Sequence, residues 1–358
     1  MTLLTQYIQK EVIRYFLIVM VTVLGIYLTV DFFQRIDNFI SENIGGYKIL
    51  LYFLCNLPTI IVQIIPVCLL LSVVITLGLM NKYNEIIALK SCGIGFSFIV
   101  KPVLMVGISG TVILFLLSEI LVPLTVPVSN RIWIEDIKKK NMVTTEEKDI
   151  WIKGNHSITH ITYYNPFEKK IYNISLYSFN HAFALAKRTD AEMGEFVNGR
   201  WTLHNTMDQT LNEVDGKYKT DLFDRQTRDL DLLPEDLTRV IKKSEEMTYR
   251  ELLSYIGKVE DEGYDATIYK VDLYGKKTAL PFVCIIMALV GAGIGVKKHI
   301  KEGLPVGVAY GIGITFLYWI FFSFCMSLGY GGVIPPLPAA WLPNLVFLSW
   351  GVYLGLNN

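Results

Sequence analysis

Five long apolar runs, nearly free of charge, set the plan of this chain. They are Val12–Val30, with Arg14 as its one charge, then Ile49–Asn81, Pro102–Ser118, Thr278–Val296 and Gly303–Asn358. The last can hold two spans, and Gly331, Pro335 and Pro338 mark the break between them. About 20 helical residues cross the hydrocarbon core of a bilayer. The pattern therefore predicts an α-helical membrane protein, with three transmembrane helices on each side of a polar stretch from Arg131 to about Lys277.

Ile49–Asn81 is longer than a bilayer needs, about 50 Å as a straight helix. It contains Pro58 and Pro66, each of which removes a backbone hydrogen bond and favours a kink. This helix is expected to project from the membrane or to tilt within it.

In the polar stretch the period falls to two. Polar and apolar residues alternate in Ile150–Lys153, Ser157–Tyr163, Lys170–Tyr177 and Trp201–His204, as half-buried strands require. Asn165-Pro166, Asn198-Gly199 and Asp215-Gly216 supply turns. Short strands at even spacing predict a sandwich or jelly roll, ending near Leu232. Thr248 and Glu251 then form a capping box. Leu252, Leu253, Tyr255, Ile256 and Val259 form an apolar stripe, and Gly263 a stop. The expected plan is spans 1–3 over residues 1–130, an inserted β domain over 131–247, an amphipathic connecting helix over 248–265, and spans 4–6 over 266–358.

Between spans 2 and 3, Asn81–Gly95 reads NKYNEIIALKSCGIG. Ile86, Ile87, Leu89 and Ile94 can share an apolar side, Lys82, Glu85 and Lys90 are polar, and Gly93 and Gly95 close the segment. The pattern predicts a short helix along the membrane face. It fits an inert interfacial linker as well as an element that receives a push from a separate motor.

Composition agrees with the membrane reading. Only 18% of residues are charged and the mean hydropathy is +0.40, against roughly 25% charged in soluble domains. The formal net charge is zero, so nothing draws the chain to nucleic acid. Cys55, Cys68, Cys92, Cys284 and Cys325 lie in or beside spans and form no disulfide or metal-binding pattern. His156 and His160 are four residues apart, a spacing that would matter on a helix, but in an alternating strand they merely share a face and no Cys or H-E-x-x-H pattern joins them; His181 and His204 lie in the same polar domain. The first run is too long for a signal-peptide core and no small-x-small site follows it before Asp31, so an uncleaved first helix is expected.

Positive charge in short loops orients the spans. Lys10 and Arg14, then Lys82, Lys90 and Lys101, then Lys297, Lys298 and Lys301 fall on one side, which is expected to be cytoplasmic along with both termini. The polar domain is then outside. No G-x-x-x-x-G-K-[ST] occurs, so any ATP is expected on another subunit, and the chain itself needs no cofactor. Neither a G-x-S-x-G nucleophile nor a polar catalytic cluster is visible, and mid-span ionisable residues are scarce, which argues against an enzyme and against an ion-coupled carrier. Glu119 is expected at the outer interface. Charges gather there: Asp31 and Arg35, Glu119 and Arg131, Lys276 and Lys277 before span 4. Beneath them Phe316, Tyr318, Trp319, Phe321 and Phe322 crowd span 5. A greasy cavity under a polar rim suits an amphiphile, and an ordinary headgroup belt explains the charges almost as well.

Four segments carry a resemblance: Asn81–Gly95, LLPEDLTRV at Leu232–Val240, MTYRELLSYIGKVEDEGYD at Met247–Asp265 with the following YKVDLYGKKTALP, and GVIPPLPAAWLPN at Gly332–Asn344. Over essentially its whole length the chain resembles the lipopolysaccharide export permeases LptF and LptG, and its Pro-Pro and Leu-Pro segment is most like LptG. The resemblance implies a bacterial inner-membrane protein with a periplasmic β-jellyroll. It implies a second, LptF-like six-helix permease, a cytoplasmic ABC ATPase dimer and periplasmic bridge proteins as partners, with lipopolysaccharide as cargo. Glu85, Leu89 and Gly93 would form the segment that meets the ATPase. Ile65, Phe316 and Trp319 would face lipid in a cavity gated by spans 1 and 5. Arg35 and Arg131 would approach the headgroup, although DFFQRIDNF holds a single basic residue where family members can carry several lysines.

Two further readings stand beside this one. A mechanotransmission permease would relay ATP-driven motion to its periplasmic domain without moving lipid through the bundle. A membrane-embedded lipid-modifying enzyme would need a catalytic cluster.

Overall fold

The computed structural model describes residues 3–42, 44–133, 150–153, 157–165, 169–180, 184–197, 199–212, 217–228, 244–261, 263, 265–296 and 304–356. The Leu232–Val240 segment, Lys297, Lys298, Lys301, His156, His181, Pro166, Asn198 and the Asp215-Gly216 turn lie outside them. The chain forms two compact units, Met1–Lys139 with Lys243–Asn358, and Lys140–Lys242.

The first unit holds the six helices that are long and apolar enough to cross a membrane. They are α1 (Leu3–Ser41), α2 (Gly46–Lys82), α4 (Phe96–Ile132), α6 (Thr267–Gly295), α7 (Leu304–Tyr330) and α8 (Pro336–Leu356). The short α3 (Glu85–Ser91) joins α2 to α4, and α5 (Tyr249–Asp261) precedes α6. Helix α2 runs through Pro58 and Pro66 as one helix of 37 residues.

Helices α2 and α6 form the buried centre, with α6 packed on α2, α4 and α8. Small residues allow the close approach: a Cβ on Gly107 of α4 would come within 2.9 Å of the Ala288 side chain of α6. Helix α1, in contrast, exposes Ile13, Leu17, Ile18, Val21 and Ile26, so its apolar face is left for lipid or another chain.

Two boundaries differ from those expected. Helix α4 continues past Ser118 to Ile132, through a π turn at Leu117–Leu121. Helix α6 begins at Thr267 rather than Thr278 and contains a second π segment, Leu273–Ala279. Lys276 and Lys277 therefore lie within the helix, not before it. Charge count sets the limit of an apolar run, whereas a helix ends only where its hydrogen bonds do.

The second unit contains one sheet of six antiparallel strands in chain order: β1 (Ile150–Lys153), β2 (Ser157–Asn165), β3 (Lys170–Phe179), β4 (Leu185–Val197), β5 (Arg200–Asn212) and β6 (Lys217–Arg228). The crossed connections of a jelly roll are not found among the described residues. The strands β4 and β6 have no clear alternation to announce them, because charged and small residues occupy both faces of LAKRTDAEMGEFV and KYKTDLFDRQTR. Ile161, Ile174, Ala191, Trp201 and Leu203 pack the apolar face. Asp208 is buried there as well and accepts hydrogen bonds from Thr189 Oγ1 at 2.6 Å and Lys187 Nζ at 2.9 Å, with Arg228 as a further partner.

Candidate functional site

The α3 segment is held by its own backbone. Gly93 has φ +79°, a left-handed conformation that glycine adopts without strain. Gly93 N–H donates to Lys90 O and Ile94 N–H to Leu89 O, the pair of bonds that closes a Schellman cap. The glycine eight residues after Glu85 is thus a helix stop. Ile86 is buried and Leu89 half-buried against the bundle core. Ile87, expected on the apolar side, is exposed instead, since it sits about 100° around the helix from Ile86. The Glu85 carboxylate accepts a hydrogen bond from Tyr7 OH of α1, at 3.2 and 3.4 Å to its two oxygens. The segment thereby carries one acidic side chain bonded to α1.

At the opposite end of α1, Arg35 is half-buried. Its Nε donates to Asp31 at 2.7 Å, its Nη1 to Tyr52 OH at 2.7 Å, and its guanidinium lies 5.0 Å from the Trp133 ring. The cation is paired within the protein and ties α1 to α2 and to the end of α4. Arg131 occupies the last turn of α4, on its exposed side.

A side chain of the second π segment reaches the first. A π turn leaves a carbonyl without its usual helical donor, and such a group inside a membrane must be satisfied by a neighbour. Lys277 supplies the donor: it is 4% exposed, and its Nζ lies 3.0 Å from Ser118 O and 4.0 Å from Glu119 Oε2. Glu119 in turn accepts from Tyr249 N–H, the first amide of α5, at 2.7 Å. Lys276 reaches Asp272 and Glu245, both at 3.0 Å, and Tyr330 OH at the end of α7 donates to Asp272 at 2.6 Å. Asn130 bonds Glu246. Helices α4, α6 and α7 are therefore joined by charges to the segment that leads into α5. The expected capping box is present, with Thr248 and Glu251 exchanging hydrogen bonds at 3.0 and 3.3 Å. The sequence places Glu119 and Lys277 near one level but carries no sign of their pairing or of the burial of Lys277.

The three residues expected to face lipid occupy different surroundings. Ile65 is 4% exposed, inside the α2 core. Phe316 is 66% exposed, and Trp319 is half-buried against the core. Between them Tyr318 points inward. Its hydroxyl donates to Asn344 Oδ1 at 2.7 Å, and Asn344 Nδ2 donates to Ala279 O at 2.8 Å. The Leu-Pro-Asn of the last apolar segment thus caps a carbonyl of the second π segment and fixes the middle of α7.

The profile of the lipopolysaccharide export system permease LptF/LptG matches residues 6–357. The chain belongs to this family. No curated protein matches it in a direct sequence comparison. As an LptF/LptG permease it is an inner-membrane protein of lipopolysaccharide export, and its features take on roles in that light. The α3 helix, with Glu85 in its first turn, is a surface at one end of the bundle, the exposed flanks of α1 and α7 are its apolar sides, and the lysine-centred junction joins the bundle to the returning chain.

Proposed function

We propose that this permease is a subunit of an ATP-driven exporter that takes lipopolysaccharide from the inner membrane and hands it to a periplasmic bridge. The α3 end and both termini lie in the cytoplasm and the sheet in the periplasm. An ABC ATPase dimer docks against α3 and binds the ATP. A second permease of the family covers the exposed face of α1, so that α1 and α7 border the lipid cavity, with Phe316 and Trp319 toward acyl chains. Ile65 joins that lining only if α2 is uncovered during the cycle. Arg131, exposed on the last turn of α4, and Arg35, half-buried beside Asp31, are the basic groups that approach a headgroup.

One observation carries this reading: the family match spans the chain, and α3 presents Glu85 on a capped helix beside α1. A carboxylate there suits a basic docking partner. The test is tagged purification in mild detergent with the bound proteins and lipid identified. An ATPase, a second six-span permease and a lipid A-containing lipid are expected, and Glu85→Ala is expected to lose the ATPase. Normal export by Glu85→Ala at wild-type abundance would overturn the coupling role.

The charged junction favours a second reading, in which motion is relayed through Glu119 and Tyr249 to the β domain and lipid never enters the bundle. Photocrosslinking at Phe316 separates the two: lipid capture supports export through the bundle, and its absence in an active complex supports relay alone.

A further inference from the structure

The face of the sheet opposite the apolar core is built unlike an ordinary solvated surface. Directly opposed residues of antiparallel strands point to the same side. By register, Trp151, His160, Ser175, Asp190 and Met207 form one such row across β1 to β5. In the adjoining row, Thr162, Asn173, Glu192, Asn205 and Asp224 fall at positions that the pairing skips. Two of these, Asn173 at φ 49° and Asn205 at φ 50°, are left-handed. Asparagine tolerates that region better than most residues, but it cannot continue a pleat there. Two such residues in one row crease the sheet.

A cavity of about 330 Å³ lies in the crease, lined by His160, Asn173, Ser175, Asp190, Glu192 and Asn205 among others. Its polar groups are held in place. Asn205 Nδ2 donates to Glu192 at 2.6 Å and Ser175 Oγ to Asp190 at 2.6 Å. Beside it Trp151 is 55% exposed, with its ring 4.4 Å from that of His160 and stacked 6.4 Å from that of Tyr177.

Three ligand classes can be weighed against these groups. An apolar ligand would strip water from Asp190 and Glu192 at a heavy cost. A metal ion needs a convergent set of His, Cys, Asp or Glu, and no group of three is found among the described residues. A hydroxyl-rich ring fits: carboxylates and amides exchange hydrogen bonds with hydroxyls, and a flat exposed indole covers the C–H face of a sugar.

We propose that this creased polar face binds a saccharide, with Asn173, Glu192 and Asn205 bonding its hydroxyls and Trp151 stacking on its ring. The source is the sugar portion of the exported glycolipid, which rests on the export reading above, or a free oligosaccharide.

The test uses the full chain. A photoreactive residue replaces Ser175 in cells, and Phe316 in a parallel strain. Deacylated lipopolysaccharide saccharide and chitotriose are titrated separately onto the purified chain in nanodiscs, followed by tryptophan fluorescence. Crosslinking of lipopolysaccharide at Ser175, with saturable binding of the deacylated saccharide, is the expected result. Asn173→Gly with Asn205→Gly keeps the left-handed backbone while removing both amides, and is expected to weaken binding at least tenfold. Trp151→Ala, at an exposed site, should weaken it comparably. Binding of chitotriose but not of the deacylated saccharide keeps the saccharide site and assigns it the free source. Capture of intact lipid with no binding of either saccharide would overturn the proposal, as would silence at Ser175 and in both titrations while Phe316 still captures lipid. Saccharide binding without lipid capture at Phe316 would sink the export reading and leave this site standing.

Discussion

Replacing Lys277 by Met keeps the length of the side chain and removes its charge, so it isolates what the buried ammonium contributes. Two losses follow. Ser118 O, at 3.0 Å, loses its lysine donor, and a hydrogen bond to a charged group is worth about 1.5–3 kcal/mol. Glu119, at 4.0 Å, loses its nearest cation. This second loss is smaller, about 1 kcal/mol or less, because the distance exceeds a hydrogen bond, the Glu119 side chain is 22% exposed, and it keeps the Tyr249 amide. The expected destabilisation is therefore about 2–3 kcal/mol, most of it from the stranded carbonyl. Adding Glu119→Gln to Lys277→Met should recover only the smaller part, about 1 kcal/mol. The assay is reversible unfolding of the detergent-solubilised chain, read by tryptophan fluorescence, with hydrogen exchange of the Tyr249 amide as a local readout. Unchanged stability of Lys277→Met would refute the claim that the paired π segments need this lysine. Recovery of the full loss by Glu119→Gln would show that the lysine acts mainly through the ion pair and not through the carbonyl.

Two more predictions follow from groups elsewhere. Burial raises the proton affinity of Asp208, but its bonds to Thr189 and Lys187 and the nearby Arg228 outweigh that and leave its pKa below the usual carboxylate range. A lowered folded-state pKa stabilises above the unfolded value and is lost as pH falls through the folded one. The β domain should therefore lose stability in acid, below about pH 4, and Asp208→Asn should flatten that part of a stability-versus-pH curve measured by circular dichroism. Gly93→Ala places a Cβ at φ +79°, which costs about 1 kcal/mol. If an ATPase docks on α3 as proposed, fraying of α3 should weaken its recovery in pull-downs, and recovery equal to wild type would show that the cap is dispensable for docking.

Hydrophobic patterning by itself determined that the chain crosses a membrane six times and carries a β insertion, because lipid tolerates little else but long apolar helices and half-buried strands must alternate. Local chemistry was legible wherever partners are close in sequence: the Thr248–Glu251 box and the Gly93 stop are as the residues predict. The capture of Ser118 O by Lys277, 159 residues away, could not be read in this way. Nor could the contacts of Arg35 with Tyr52 and Trp133, or the crease at Asn173 and Asn205. A side chain's charge is written in the sequence, but whether that charge is buried, and what answers it, depends on residues that only packing brings near. The same lysine reads as interfacial beside an apolar run and becomes a buried donor once packing brings its side chain to a carbonyl of another helix, distant along the chain.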